Sequence, residues 1–266
     1  MILSYTDGAA AISGVIVGFV LGLIGGGGSV FATPLLYYFV GVPSPHVAIG
    51  TGAAAVTVNA LANLLGHARA GRVRWPCAFV FAAAGTCGAL VGSSLGKLFN
   101  GQKLLLLFGV LMLAVATQMF FKRPMPSGHD FQLTRDNARQ SLPALIGIGS
   151  IVGALAGFFG IGGGFLVVPG ILAATNMPMI AAIGTSLVSV TAFGLATASN
   201  YALSGLVDWR ITAIVVAGGI VGGVFGGALA GRLAVRRQIL TKVFAVLVAT
   251  VGFYVIYRGV LYLTDV

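Results

Sequence analysis

The chain is 266 residues long, 58% hydrophobic and only 8% charged, with a mean hydropathy of +1.04. So little polar surface cannot cover a soluble globule, and long Leu-, Val- and Ala-rich runs without alternation exclude barrel strands. The fold class is therefore all-α, a polytopic membrane protein. The net charge of +10 lies in short loops between apolar runs, where membrane topology accounts for it without any nucleic-acid partner.

The opening stretch, MILSYTDGAA, has no Lys or Arg ahead of the first apolar run. It lacks the basic start of a cleaved signal peptide and is expected to be retained. An apolar segment over about 10–41 is interrupted by GLIGGGGSVFATP, residues 22–34. Spans over about 46–67, 76–97 and 103–121 complete a first repeat at 1–121. Cys77 and Cys87 fall in one of these spans, where a straight helix holds them too far apart for a bridge, and they read as small core residues. The polar stretch KRPMPSGHDFQLTRDNARQ, 122–140, reads as a cytoplasmic connector. The second repeat, 141–266, has an interrupted segment over about 144–174 carrying GFFGIGGGFLVVP, then spans over about 180–203, 210–231 and 240–259.

Spans of ~20 residues cross ~30 Å of hydrocarbon. The interrupted segments, about 32 residues or ~48 Å of helix, are too long for one crossing and short for two. Each is expected to fold back as a re-entrant hairpin of two half-helices.

An offset near 135 aligns the halves. AIGTG (48–52) meets AIGTS (182–186), GRVRW (71–75) meets GLVDW (205–209), and the pair Val42, Pro43 meets Met177, Pro178. Sequence repeats that each carry an interrupted apolar segment are the signature of secondary transporters. Hairpins give each half an odd number of crossings, which inverts the second half. That arrangement puts Arg69, Arg72, Arg74, Lys122, Arg123, Arg135, Arg139, Arg232, Arg236, Arg237 and Lys242 inside and leaves Lys97, Lys103, Arg210 and Arg258 outside, a split of 11 to 4. Parallel repeats would give 9 to 6, so the positive-inside rule favours inverted repeats with both termini outside.

Glycine runs cost helix stability, up to ~1 kcal/mol per residue, and irregular backbone at membrane depth is tolerated only where it is enclosed by protein or lines a cavity. The breaks are therefore expected to be functional. Gly25, Gly26, Gly27, Gly28 and Ser29, with Gly160, Gly162, Gly163 and Gly164, would offer free backbone N–H groups and a positive dipole end to an anion near the midplane. Hydroxyls and amides early in the following spans are candidate ligands: Thr51, Thr57 and Asn59 with Thr185, Ser186, Ser189 and Thr191. Ser and Thr in membrane helices also bond the preceding turn, which is the competing reading for each hydroxyl. Glycines at four-residue spacing, such as Gly14, Gly18 and Gly22, fit close helix packing within one chain or between two copies, so a homodimer is compatible with the sequence. Three His, two Cys and no buried acid supply no catalytic set, metal site or cofactor site.

The doubled motif GLIGGGGSVFATP and GFFGIGGGFLVVP, with AIGTG and AIGTS and the GRVRW and GLVDW turns, resembles the sulfite exporter TauE/SafE family of bacterial membrane transporters over essentially the whole chain. The resemblance implies movement of sulfite, sulfoacetate or another organosulfonate across the cytoplasmic membrane, with no enzymatic activity. A channel or carrier for another small oxyanion or organic acid is the alternative. There is no Glu, and Asp7, Asp130, Asp136, Asp208 and Asp265 all fall in predicted loops or tails, so the buried carboxylate relay of proton pumps is missing. Outward movement of an anion driven by the membrane potential is the expected energetics.

Overall fold

The computed structural model describes residues 2–121, 135–162, 164–233 and 237–264. Among them every regular element is helical. Helix α1 (Ile2–Ile24) leads into an irregular arm made of a 3-10 stretch (Gly26–Phe31), one turn of α2 (Ala32–Pro34) and a π turn (Leu35–Phe39). The remaining helices are α3 (Pro45–Arg69), α4 (Trp75–Leu98), α5 (Gly101–Phe121), α6 (Arg135–Phe159), α7 (Gly164–Thr175), α8 (Met179–Ala202), α9 (Trp209–Leu233) and α10 (Arg237–Thr264). The connector expected at 122–140 lies mostly outside the described residues, but its last residues already belong to α6.

Eight of these helices, all except α2 and α7, are long and apolar enough to cross a membrane. The first arm of each interrupted segment is thus longer than the half-helix expected from sequence, because α1 and α6 are candidate spans in their own right. The second arms are short. Helix α7 has 12 residues, about 18 Å at 1.5 Å per residue, and the arm at 26–39 is only slightly longer in residue count. Both carry a proline, Pro34 and Pro169, which removes a backbone donor and discourages a long regular helix.

The arms fold back. Ala9 and Ala10 of α1 share a buried cluster with Leu36 of the arm, Val40 directly after it, Ala48 of α3 and Ile211 of α9, so the arm ends on the side where α1, α3 and α9 begin. In the second half, a Cβ at Gly170 of α7 would stand 3.2 Å from Val152 and 3.3 Å from Ile148 of α6, which places α7 alongside the middle of the helix that precedes it.

Glycine contacts fix the helix directions. Gly14, Gly18 and Gly22 of α1 lie against Val215, Gly219 and Gly223 of α9 in the same order, so the two run parallel. Gly88, Gly92 and Gly96 of α4 meet Ser150, Ala154 and Phe158 of α6, also in parallel. Helices α3 and α8 run antiparallel, with Gly50 against Tyr201 and Thr57 against Gly194, and so do α5 and α10, with Gly109 near Ile256 and Leu106 near Gly259. Such backbone-to-backbone approach is what small residues permit where lipid offers no hydrophobic drive. The most enclosed apolar windows belong to α3 (72% buried) and α8 (61%), against 50% or less for the other six, which makes this pair the axis of the molecule. Large apolar side chains on the outer helices, among them Phe79, Val91, Phe225 and Phe253, point away from the protein.

Candidate functional site

The two glycine breaks meet at the middle of the α3–α8 pair. Gly25 (φ +77°) turns the chain at the end of α1. Gly26 then lies so close to Gly164 that a Cβ on either would sit inside the other's backbone. A Cβ at Gly162 would be 3.3 Å from Val56 of α3 and 3.6 Å from the Gly194 Cα of α8. Gly27 faces the Phe244 ring of α10, and Gly28 presses on the backbone of Val17 and Leu21. Ser29 is fully buried and donates its hydroxyl to the Gly26 carbonyl at 2.9 Å. Gly163 lies outside the described residues.

The breaks are not built alike. Gly160 (φ +66°) donates its amide to Gly157 O and Ile161 donates to Ala156 O, both at 3.0 Å. These are the paired bonds that close a helix C-terminus through a left-handed glycine. The Gly160 amide, expected from sequence to face an anion, is instead used to end α6. The cue was present in the sequence as a glycine directly after the apolar run that ends at Phe159.

Several expected ligands have structural partners. The Thr51 hydroxyl accepts the Asp208 amide at 2.9 Å, and the Thr185 hydroxyl accepts the Arg74 amide at 3.0 Å. These matched threonines tie the turns before α9 and α4, at opposite ends of the bundle, so they do not share one site. Asp208 caps α9 through Oδ1, which accepts the Ile211 amide at 3.0 Å. Thr57, Ser186 and Thr191 donate to Ala53 O (2.7 Å), Ile183 O (2.8 Å) and Leu187 O (2.8 Å), the local bonding common in membrane helices.

Asn59 and Ser189 differ. Both are fully buried, and neither amide atom of Asn59 nor the Ser189 hydroxyl has a hydrogen-bond partner among the described residues. Thr33, Thr197 and Tyr201 are also buried with unpartnered hydroxyls. Sequence reading passed over these three because a single hydroxyl in an apolar run carries little signal. Orphaned polar groups at membrane depth are costly and point to water or ligand. Asn59 rests on Gly219 of α9, while its counterpart in the second half is Phe193, which rests on Gly85 of α4. One half presents an amide where the other presents a ring. Asp7 and Asp208 take no part in this interior: Asp7 pairs with Arg210 at 2.7 Å and Asp208 is the α9 cap.

Among the described residues, eight apolar helices, six of them around the α3–α8 pair, with two broken segments meeting beside that pair, define a multi-pass membrane transporter for a small molecule. The sulfite exporter TauE/SafE family profile matches residues 10–255, and the chain belongs to that family. It is 51% identical over 250 residues to a protein of Xylella fastidiosa named as a probable membrane transporter protein, covering 93% of this chain and 94% of that one. It is 29% identical to the probable membrane transporter protein YunE of Bacillus subtilis, covering 78% and 82%. A Methanocaldococcus jannaschii protein with the same description is 27% identical, with 68% of each chain covered. No solved structure matches.

Proposed function

We propose that this transporter moves a small sulfur-containing anion, sulfite or an organosulfonate such as sulfoacetate, outward across the bacterial cytoplasmic membrane. The chain is read as two inverted repeats, 1–121 and 141–266, with both termini outside. The opposed directions of α3 and α8, and of α5 and α10, support that reading, since each pair consists of counterparts from the two repeats. The family description supports the substrate class.

The observation that carries the mechanism is the contact between Gly26 and Gly164 beside the unpartnered Asn59 and Ser189. In this reading the touching tips are the barrier. When they part, the amides of Gly26, Gly27 and Gly28, at the start of the irregular arm, become donors to the anion's oxygens. Asn59 and Ser189 add neutral donors that hold an oxyanion without trapping it. The outward step gains ~2.3 kcal/mol per charge for each 100 mV of inside-negative potential.

Purified protein in liposomes loaded with radiolabelled sulfite tests this. Sulfite and sulfoacetate should exchange, efflux should quicken when the loaded compartment is made negative, and acetate should compete poorly. Exchange of carboxylates with none of any sulfur anion would favour the alternative carrier. A strict need for Asp208 at clamped pH, read with Asp208→Asn, would overturn the potential-driven mechanism.

A further inference from the structure

A polar cluster joins the ends of α4 and α8 away from the glycine breaks. Lys97 Nζ donates to Asn200 Oδ1 at 2.7 Å, Ser204 Oγ at 2.8 Å and Asn200 O at 3.1 Å. Asn200 Nδ2 donates to Ser93 Oγ at 2.6 Å and Ser94 Oγ at 2.9 Å. Among the described residues every hydrogen-bond acceptor of Lys97 is neutral, so the ammonium is held in place by dipoles with no counter-ion.

The repeat relation shows that the fold does not demand this chemistry at these positions. The counterparts of Ser93, Ser94, Lys97, Asn200 and Ser204 are Gly227, Ala228, Gly231, Gly66 and Ala70, so the other half carries only small apolar residues at the same positions. The cluster also leads inward. Lys97 Nζ is 5.9 Å from the centre of the Tyr201 ring, and Tyr201 is fully buried with an unpartnered hydroxyl. Tyr201 abuts Gly50 of α3, and the neighbouring Ile49 touches Gly160 at the second break. The His46 ring lies 6.4 Å from that of Tyr201, with a buried Nδ1 that has no hydrogen-bond partner among the described residues.

We infer that Lys97, Asn200 and Ser204 form a second anion station, at the end of the bundle where α1 and α3 begin, which holds a small oxyanion on its way to or from the glycine breaks. The inference rests on the anion-transport reading above. The exposed Ser204 hydroxyl, which among the described residues donates to Asn200 O at 3.3 Å, swings aside; the anion takes its place on the Lys97 ammonium and accepts a hydrogen bond from the Ser204 hydroxyl. A fixed charge at the mouth also raises the local anion concentration, an effect that salt weakens.

The test compares wild type, Lys97→Gln and Lys97→Arg in two measurements: sulfite exchange in liposomes, and the thermal shift of purified protein with sulfite, phosphate, acetate and chloride. Lys97→Gln should raise the half-saturating sulfite concentration about tenfold, as expected for one lost charged hydrogen bond, and flatten its salt dependence. Lys97→Arg should restore most of both. An unchanged half-saturation in Lys97→Gln, with only a lower melting temperature, would make the cluster a helix staple and overturn the station while leaving the transport reading intact. If wild type exchanges no sulfur anion, the transport reading fails, and the station is judged by the thermal shifts alone. A shift by any anion that Lys97→Gln loses sustains it, and equal shifts in both proteins, or none, overturn it.

Discussion

At the residue scale, the side chain that best separates stability from transport is Asn59. It is fully buried with both amide atoms unpartnered, so it costs folding free energy at every moment it is not bound to water or ligand. Replacing an orphaned polar group by an apolar one of similar shape is neutral or stabilising. Asn59→Leu should therefore raise the thermal midpoint, by a gain of about 1–3 kcal/mol, and slow sulfite exchange at least about tenfold. A lower midpoint with full transport would assign the amide to helix packing. The threonines illustrate the opposite case. In sequence Thr51 and Thr185 look like a matched pair of ligands, and the match is real, but it arises because each bonds the turn before a helix of the other repeat. Residue type and spacing gave no way to tell a hydroxyl aimed at a distant backbone amide from one aimed at a ligand.

At the scale of elements, the helix seams are lined by glycines that differ sharply in what surrounds them. A Cβ at Gly18 would run into Gly219 of α9, and one at its counterpart Gly153 would run into Gly85 of α4, whereas a Cβ at Gly147 of α6 meets nothing within 4 Å. Gly18→Ala and Gly153→Ala should each destabilise the protein by more than about 2 kcal/mol through forced separation of backbones. Gly147→Ala should be neutral or add up to ~1 kcal/mol from helix propensity. Thermal unfolding in detergent reads all three, and equal effects would mean the seams are looser than described. The spans were legible because twenty apolar residues between charged loops have one solution in a bilayer. The interrupted segments were legible only as interruptions. That the first arm runs to span length while the second stays short depends on Gly25 and Gly160 ending helices rather than starting them; a glycine after an apolar run hints at this in sequence, and the backbone torsions and the Ile161 to Ala156 bond establish it.

At the scale of the whole molecule, the two halves are laced together. Helix α1 runs beside α9 and α6 beside α4, so the glycine face of each first arm is covered by the opposite repeat. Neither half should survive alone. Expressed separately, pieces cut within 122–134 are expected to be degraded or aggregated, while co-expression should recover a complex that melts cooperatively and exchanges sulfite. Stable folding of 1–121 by itself would contradict the lacing. The same lacing sets a clock on biogenesis. Helix α9 begins at Trp209, about 185 residues after α1 ends at Ile24, and at 5–20 residues per second the ribosome needs ~10–40 s to produce the second after the first. Throughout that interval Gly14, Gly18 and Gly22 must be shielded by lipid or by the insertion machinery. The newborn first half is therefore the stage at which membrane proteases have their best opportunity.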